Sequence, residues 1–172
     1  MIKWLMAFVG IDFGTSNSCC FVQGAGNATV PELISSDVGN HVTPSVVAYT
    51  EFGILVGETA QQQQQTNPTN TLYEFKRVIG RTYSDKLLWA DAKHWPFQLV
   101  RPTKDEGPHP RYLVIHAGGV TRLTATDLIT TVLTRLMELV ADRLGPSVPI
   151  AGVTLTVPAH FDNAQRQQML LA

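Results

Sequence analysis

Two apolar runs of strand length open the chain, residues 5–11 and 18–22, and a short polar stretch separates them. That stretch, Asp12-Phe13-Gly14-Thr15-Ser16-Asn17, carries a glycine and small hydroxyl and amide side chains, which is turn chemistry and predicts a β-hairpin. The same composition suits a hairpin whose backbone N–H groups and hydroxyls cup an anion, with Asp12 holding a hydrated cation. Both readings stand at this point.

Further along, residues 29–35 predict a third strand, followed by a turn at Gly39-Asn40 and a break at Pro44. Residues 45–49 and 54–56 pattern as a hairpin around Glu51-Phe52-Gly53. Residues 57–66 have helical composition, with glutamines 61–65 on a solvated face. After the break at Asn67-Pro68, Asn70 or Thr71 is expected to cap a short helix through Ile79 that stops at Gly80. Residues 82–110 have no period and are expected to be irregular, anchored by Trp89, Trp95 and Phe97, with 102–110 as an exposed loop. A second hairpin is expected for 111–116 and 120–123 around Ala117-Gly118-Gly119.

The clearest helix follows. Leu128, Ile129, Val132, Leu133, Leu136, Leu139 and Val140 recur at three- and four-residue spacing, with Thr126 or Asp127 near the start and Gly145 at the end. "IAGVTLTVP" (150–158) is a nearly all-apolar strand of the kind found in sheets covered on both faces. Asp162 then caps a last helix. The fold class is α/β: a twisted mixed sheet with helices and a small intervening α+β piece.

Composition narrows the classes. Apolar residues make up 44% of 172 and charged ones 16%, so the chain is globular, with one domain or two small ones. Thirteen basic side chains against fourteen acidic ones, with no basic run, leave no electrostatic footprint for nucleic acid. Residues 1–10 resemble a short secretory apolar segment behind Lys3, yet no small-residue cleavage site follows and the run is too short to span a bilayer. It reads as the first core strand, with no membrane partner. Cys19 and Cys20 are the only cysteines and, as strand neighbours, point to opposite faces; a reducing, cytoplasmic setting is expected. The histidines at 41, 94, 109, 116 and 160 lack metal-ligand spacing, and no Ser/His/Asp nucleophile motif is present.

Four further positions stand out for their charge or their backbone. Lys76 and Arg77 read as a solvated pair on an amphipathic helix, or as a lysine reaching a phosphate where charge builds up. Pro158 stops a strand, and Arg166 is a surface charge on the final helix.

Taken in order, "GIDFGTSNSCC", "GNHVTPSVVAYT", "NPTNTLYEFKRVIGR", "KHWPF" and "VTLTVPAHFDNAQRQ" resemble the heat shock protein 70 (DnaK-type) chaperones over residues 9–172. The resemblance implies the first lobe of an actin-like (ribonuclease H-like) ATPase. Residues 1–44 and 123–172 are then its core subdomain and 45–122 an inserted one, with the second lobe and the peptide-binding domain absent. It implies that Gly14, Thr15, Ser16 and Asn17 bind the phosphates of ATP or ADP. Asp12 would hold Mg²⁺ through water, and Lys76 would be the catalytic lysine at the γ-phosphate. Pro158, Arg166 and Arg77 would relay nucleotide state. The implied activity is ATP hydrolysis coupled to binding and release of unfolded polypeptide, a stress-response function aided by J-domain co-chaperones and nucleotide exchange factors. An atypical co-chaperone or exchange factor with little turnover is the alternative. A sugar kinase or cytoskeletal filament protein is disfavoured by the "KRVIGR" and "KHWPF" segments. Ser16 stands where the family commonly has Thr, His160 replaces a Tyr, and Asp162-Asn163 inverts the usual Asn-Asp, which points to a divergent member.

Overall fold

The structure is a computed structural model and describes residues 6–24, 30–116 and 118–172. The apolar lead 1–5, Thr29 at the expected start of the third strand and Ala117 in the second hairpin lie outside the described residues.

β1 (Ala7–Phe13) and β2 (Asn17–Gln23) form the opening antiparallel hairpin, with Asp12 opposite Cys19 and Phe13 opposite Ser18. Strand alternation sends Ala7, Val9, Ile11 and Phe13 into the core and Phe8, Gly10 and Asp12 to the other face. β3 is only Glu32–Leu33, and the expected break at Pro44 lies within β4 (Thr43–Pro44), which pairs with the start of β2. A second sheet joins β5 (Val47–Thr50) to β6 (Gly53–Val56) as the expected hairpin. Helix α1 is confined to Glu58–Gln62, shorter than the 57–66 expected, and turns follow it.

The helix expected from Asn70 or Thr71 to Ile79 does not form as one piece. After a 3₁₀ turn at Pro68–Asn70, Thr71–Leu72 forms β7 and pairs with Val47 and Ala48 of β5. Only α2 (Phe75–Val78) is helical, because Glu74 sits at φ 59°, a left-handed conformation that breaks the helix before it. Sheet pairing and complete burial of Leu72 outweigh local helix propensity.

Residues 82–110 are also more regular than expected. Asp85 caps α3 (Lys86–Ala92) by accepting from the Leu87 N–H, and β8 (Gln98–Val100) pairs with β9 (Arg111–His116). β9 forms the expected hairpin with β10 (Gly119–Leu123). Trp95, Phe97, Tyr112 and Phe75 then make a chain of ring contacts at 5.3–6.1 Å that seats α2 on this third sheet.

The long helix is α4 (Ala125–Leu144), capped by Thr124 and Asp127 in a reciprocal box, with Thr126 and Asp127 in its first turn as expected, and ended at Gly145. Its Leu128, Ile129, Val132, Leu136, Leu139 and Val140 are buried in the same cluster as β1 and β2. The chain returns as β11 (Ile150–Leu155), parallel to β1, giving the strand order β11-β1-β2-β3. The expectation that this strand is covered on both faces is not met. β11 is an edge strand, and Ile150 and Val153 are 36% and 50% exposed. Asp162 caps α5 (Asn163–Leu171) with Gln165 reciprocating, so the Asp162-Asn163 order supplies a working helix cap.

Helices α2 and α5 meet at Gly80, whose φ is +72° and where a Cβ would stand 2.7 Å from the Cα and N of Gln165. Gly80→Ala is therefore expected to cost about 2 kcal/mol or more, from strain and displacement of α5. Urea denaturation measures it, and an unchanged midpoint would mean that α5 is not seated on this turn.

Candidate functional site

The opening hairpin is pinned from one side by a single serine. Ser45 Oγ donates to the Gly14 carbonyl at 2.9 Å, and the Ser45 N–H donates to the Ser16 carbonyl at 2.8 Å. Ser45 has one hydroxyl hydrogen, so the 2.8 Å contact with buried Ser18 has Ser18 as donor. A trans peptide points its N–H opposite to its C=O. With the Gly14 and Ser16 carbonyls turned to Ser45, the N–H groups of Thr15 and Asn17 point away from it. Ser16 and Asn17 are exposed, Thr15 is half-buried, and all three present small polar side chains. A Cβ at Gly14 would lie 2.0 Å from the Asn17 carbonyl oxygen, so only glycine closes this turn.

Asp12 lies on the outward face of β1, at the entrance of the hairpin. Thr156, just past β11, donates to Asp12 Oδ1 at 2.6 Å, and its N–H donates to the Ile11 carbonyl at 3.0 Å. This fixes the carboxylate while leaving Oδ2 for another partner. Asp12 is exposed, and among the described residues no three His, Cys, Asp or Glu side chains converge as a metal cage. A lone anchored carboxylate fits a Mg²⁺ that keeps most of its waters and is shared with phosphate oxygens.

Lys76 completes the group. It is only 9% exposed, and its Nζ sits 5.5 Å from the centroid of the Phe13 ring, between Asp12 and Gly14 in sequence. Burial lowers its pKa from the ordinary lysine value, and the Asp12 carboxylate partly opposes that shift. The solvated-pair reading therefore fails for Lys76. It holds for Arg77, whose half-exposed side chain pairs with Glu74 at 2.5 Å and Asp91 at 3.7 Å, away from the hairpin.

Of the remaining expected residues, Pro158 and Arg166 come together. Arg166 donates from Nε to the Phe161 carbonyl at 3.0 Å and from Nη2 to the Ala159 carbonyl at 3.1 Å, clamping the turn that follows Pro158. His160 on that turn is exposed and stands edge-on to the Phe161 ring. Cys19 and Cys20 are both free thiols. Burial, with Asp12 adding to it, raises the Cys19 pKa, and burial raises Cys20 to about 11, so neither is an activated nucleophile. Sequence reasoning missed Ser45, Thr156 and the Phe13 ring. Alternation along "VTLTVP" puts a hydroxyl at its end, which was the available signal for Thr156.

The model of the Hsp70 protein family matches residues 8–172. The chain is 39% identical to the putative heat shock 70 kDa protein 7 of Homo sapiens, over 92% of this chain and 41% of that one. It is 36% identical to heat shock cognate 70 kDa protein 3 of Dictyostelium discoideum, over 94% of this chain and 25% of that one. It is also 36% identical to a ribosome-associated molecular chaperone of Eremothecium gossypii, over 92% of this chain and 24% of that one. The chain thus spans well under half the length of these relatives.

A buried ammonium with a lowered pKa destabilises the fold while it is charged. Between the lowered native value and the unfolded value of 10.5 the unfolded state holds more protons, so stability rises with pH across that window. Lys76→Met is expected to stabilise the chain at pH 7 by ~1 kcal/mol, an advantage that shrinks as pH approaches the unfolded value. Paired denaturation curves over pH read it; a destabilised variant would mean that the ammonium is held by partners strong enough to repay its burial.

Proposed function

The chain belongs to the Hsp70 family, and from that premise we propose that it is the phosphate-holding lobe of an actin-like ATPase that drives a molecular chaperone. One observation carries the reading: the buried Lys76 ammonium lies over Phe13, beside Asp12 and the Gly14–Asn17 turn. The Phe13 face and Asp12 repay that burial only in part, so a purely structural lysine would be left with a net cost. A lysine that meets a polyphosphate exchanges its desolvation cost for a charge-assisted contact.

In this reading the Thr15 and Asn17 N–H groups and the Thr15 and Ser16 hydroxyls bind the phosphates of ATP or ADP. Asp12, oriented by Thr156, holds Mg²⁺ through water, and the ion neutralises phosphate charge when bound. Lys76 places a fixed positive charge where negative charge shifts during hydrolysis, so positioning and electrostatics do most of the catalysis. The buried lysine beside a carboxylate favours an ATPase over a non-hydrolysing co-chaperone.

The proposed subdomains follow the sheets. Residues 1–44 and 123–172 carry the sheet of β1 and β11 with α4 and α5, and 45–122 carry the other two sheets apart from Leu123, the last residue of β10. Thr156 ties Asp12 to a segment only two residues before Pro158, and Arg166 clamps the turn after it. That contact path is the proposed relay from nucleotide state toward a polypeptide-binding domain. Arg77, held at the surface by Glu74 and Asp91, is proposed as an outlying member of that relay. The proposed partners are unfolded polypeptides, J-domain co-chaperones and exchange factors. Two free cysteines suit the cytoplasm, and among the described residues no helix is long and apolar enough to cross a membrane.

In a full-length protein carrying this lobe, Lys76→Ala is expected to lower single-turnover ATP hydrolysis by about a hundredfold or more while changing ATP affinity by less than about tenfold. Unchanged hydrolysis would overturn the ATPase reading and favour the non-enzymatic one.

A further inference from the structure

The 101–110 loop is built more firmly than a surface connection needs. Arg122 donates to both carboxylate oxygens of Glu106 at 2.9 Å, and the Thr103 N–H donates to the same carboxylate at 2.7 Å. Together they hold the Glu106 carboxyl down at about 2. Arg122 also donates to the Arg101 carbonyl at 2.6 Å, and the Tyr83 N–H donates to the Pro108 carbonyl at 3.0 Å. Across the loop, Trp89 Nε1 donates to the Tyr83 carbonyl at 2.7 Å, and the two rings stand edge-to-face with centroids 4.8 Å apart. Between these walls lies an open cleft of about 680 Å³, and its only charged lining side chains are Arg101 and Lys104.

We propose that this cleft is a docking site for an acidic peptide segment of a partner protein. Charge complementarity selects the occupant. Among the described residues no carboxylate lies within ion-pairing reach of Arg101 or Lys104, while the neighbouring acids Glu106 and Asp85 are taken by Arg122 and Arg81. Asp105, beside Lys104 in sequence, is exposed and does not line the cleft. Arg101 is held over the Tyr83 ring, 5.1 Å from its centroid, so its guanidinium is oriented before any ligand arrives. Tyr83, Trp89, Pro102 and Pro108 supply apolar walls for side chains between the acidic ones. The cleft shares no residue with the Asp12–Lys76 group, so its occupancy is independent of the nucleotide reading.

The test titrates the 172-residue chain against a fluorescein-labelled peptide of alternating Glu and Leu, by fluorescence anisotropy at low salt. Saturable binding is expected, weakened by added salt and by about tenfold or more in Arg101→Glu. Lys104→Glu is expected to weaken it in the same direction, and a Lys/Leu peptide is expected not to bind. Both substituted side chains are exposed, and circular dichroism checks that each variant is folded. Absence of binding, binding indifferent to both charge reversals, or displacement by inorganic phosphate alone would each overturn the proposal, the last by making this a small-anion site.

Discussion

A lysine ammonium buried against an aromatic ring is the constraint on which the rest of the site depends. Removing a charge from water costs several kcal/mol unless something compensates. Here the face of Phe13 and the nearby Asp12 compensate only in part, since the Lys76 pKa remains lowered. The surrounding fold must therefore hold α2 in place against that cost. A helix of four residues has no stability of its own. Phe75, Val78 and Ile79 are almost fully buried, and the Phe75–Tyr112–Phe97–Trp95 ring contacts tie α2 to the third sheet.

The same helix is bound to the far side of the site. Gly80 lets α5 approach to a distance that no side chain would permit, and α5 carries Arg166, which clamps the turn after Pro158. That turn leads back through Thr156 to Asp12. Lysine, carboxylate, proline turn and final helix are thus linked in series, the lysine reaching Asp12 through the neighbouring Phe13 ring. That series of contacts is the path the proposed relay would take.

Elements whose signal was local were legible in the sequence. The opening hairpin follows from alternation around a Gly-Thr-Ser-Asn turn, and α4 follows from a seven-residue apolar stripe with a capping residue and Gly145. Where tertiary contacts decide, the pattern misled. Thr71 and Leu72 look helical but pair with β5, and Glu74 breaks the helix with a left-handed backbone. β11 is apolar enough to be covered on both faces, yet it sits at a sheet edge. At the site, Asp12 and the turn residues were visible as chemistry, and Lys76 only as one of two readings. Its burial depends on Phe13, sixty-three residues earlier, and no local pattern carries that. Ser45 was invisible for the same reason, since it acts on a strand distant in sequence, and the hydroxyl that alternation puts at Thr156 carried no sign of its partner Asp12.

The central claim is that Lys76 is kept buried and partly desolvated in order to meet phosphate. Its pKa can be followed directly by nitrogen NMR of lysine-labelled chain, with and without Mg²⁺ and ATP. A value below the ordinary 10.5 is expected in the free chain, with a rise when nucleotide is added, as phosphate charge stabilises the ammonium. A value at the ordinary lysine pKa that nucleotide does not move would contradict the claim.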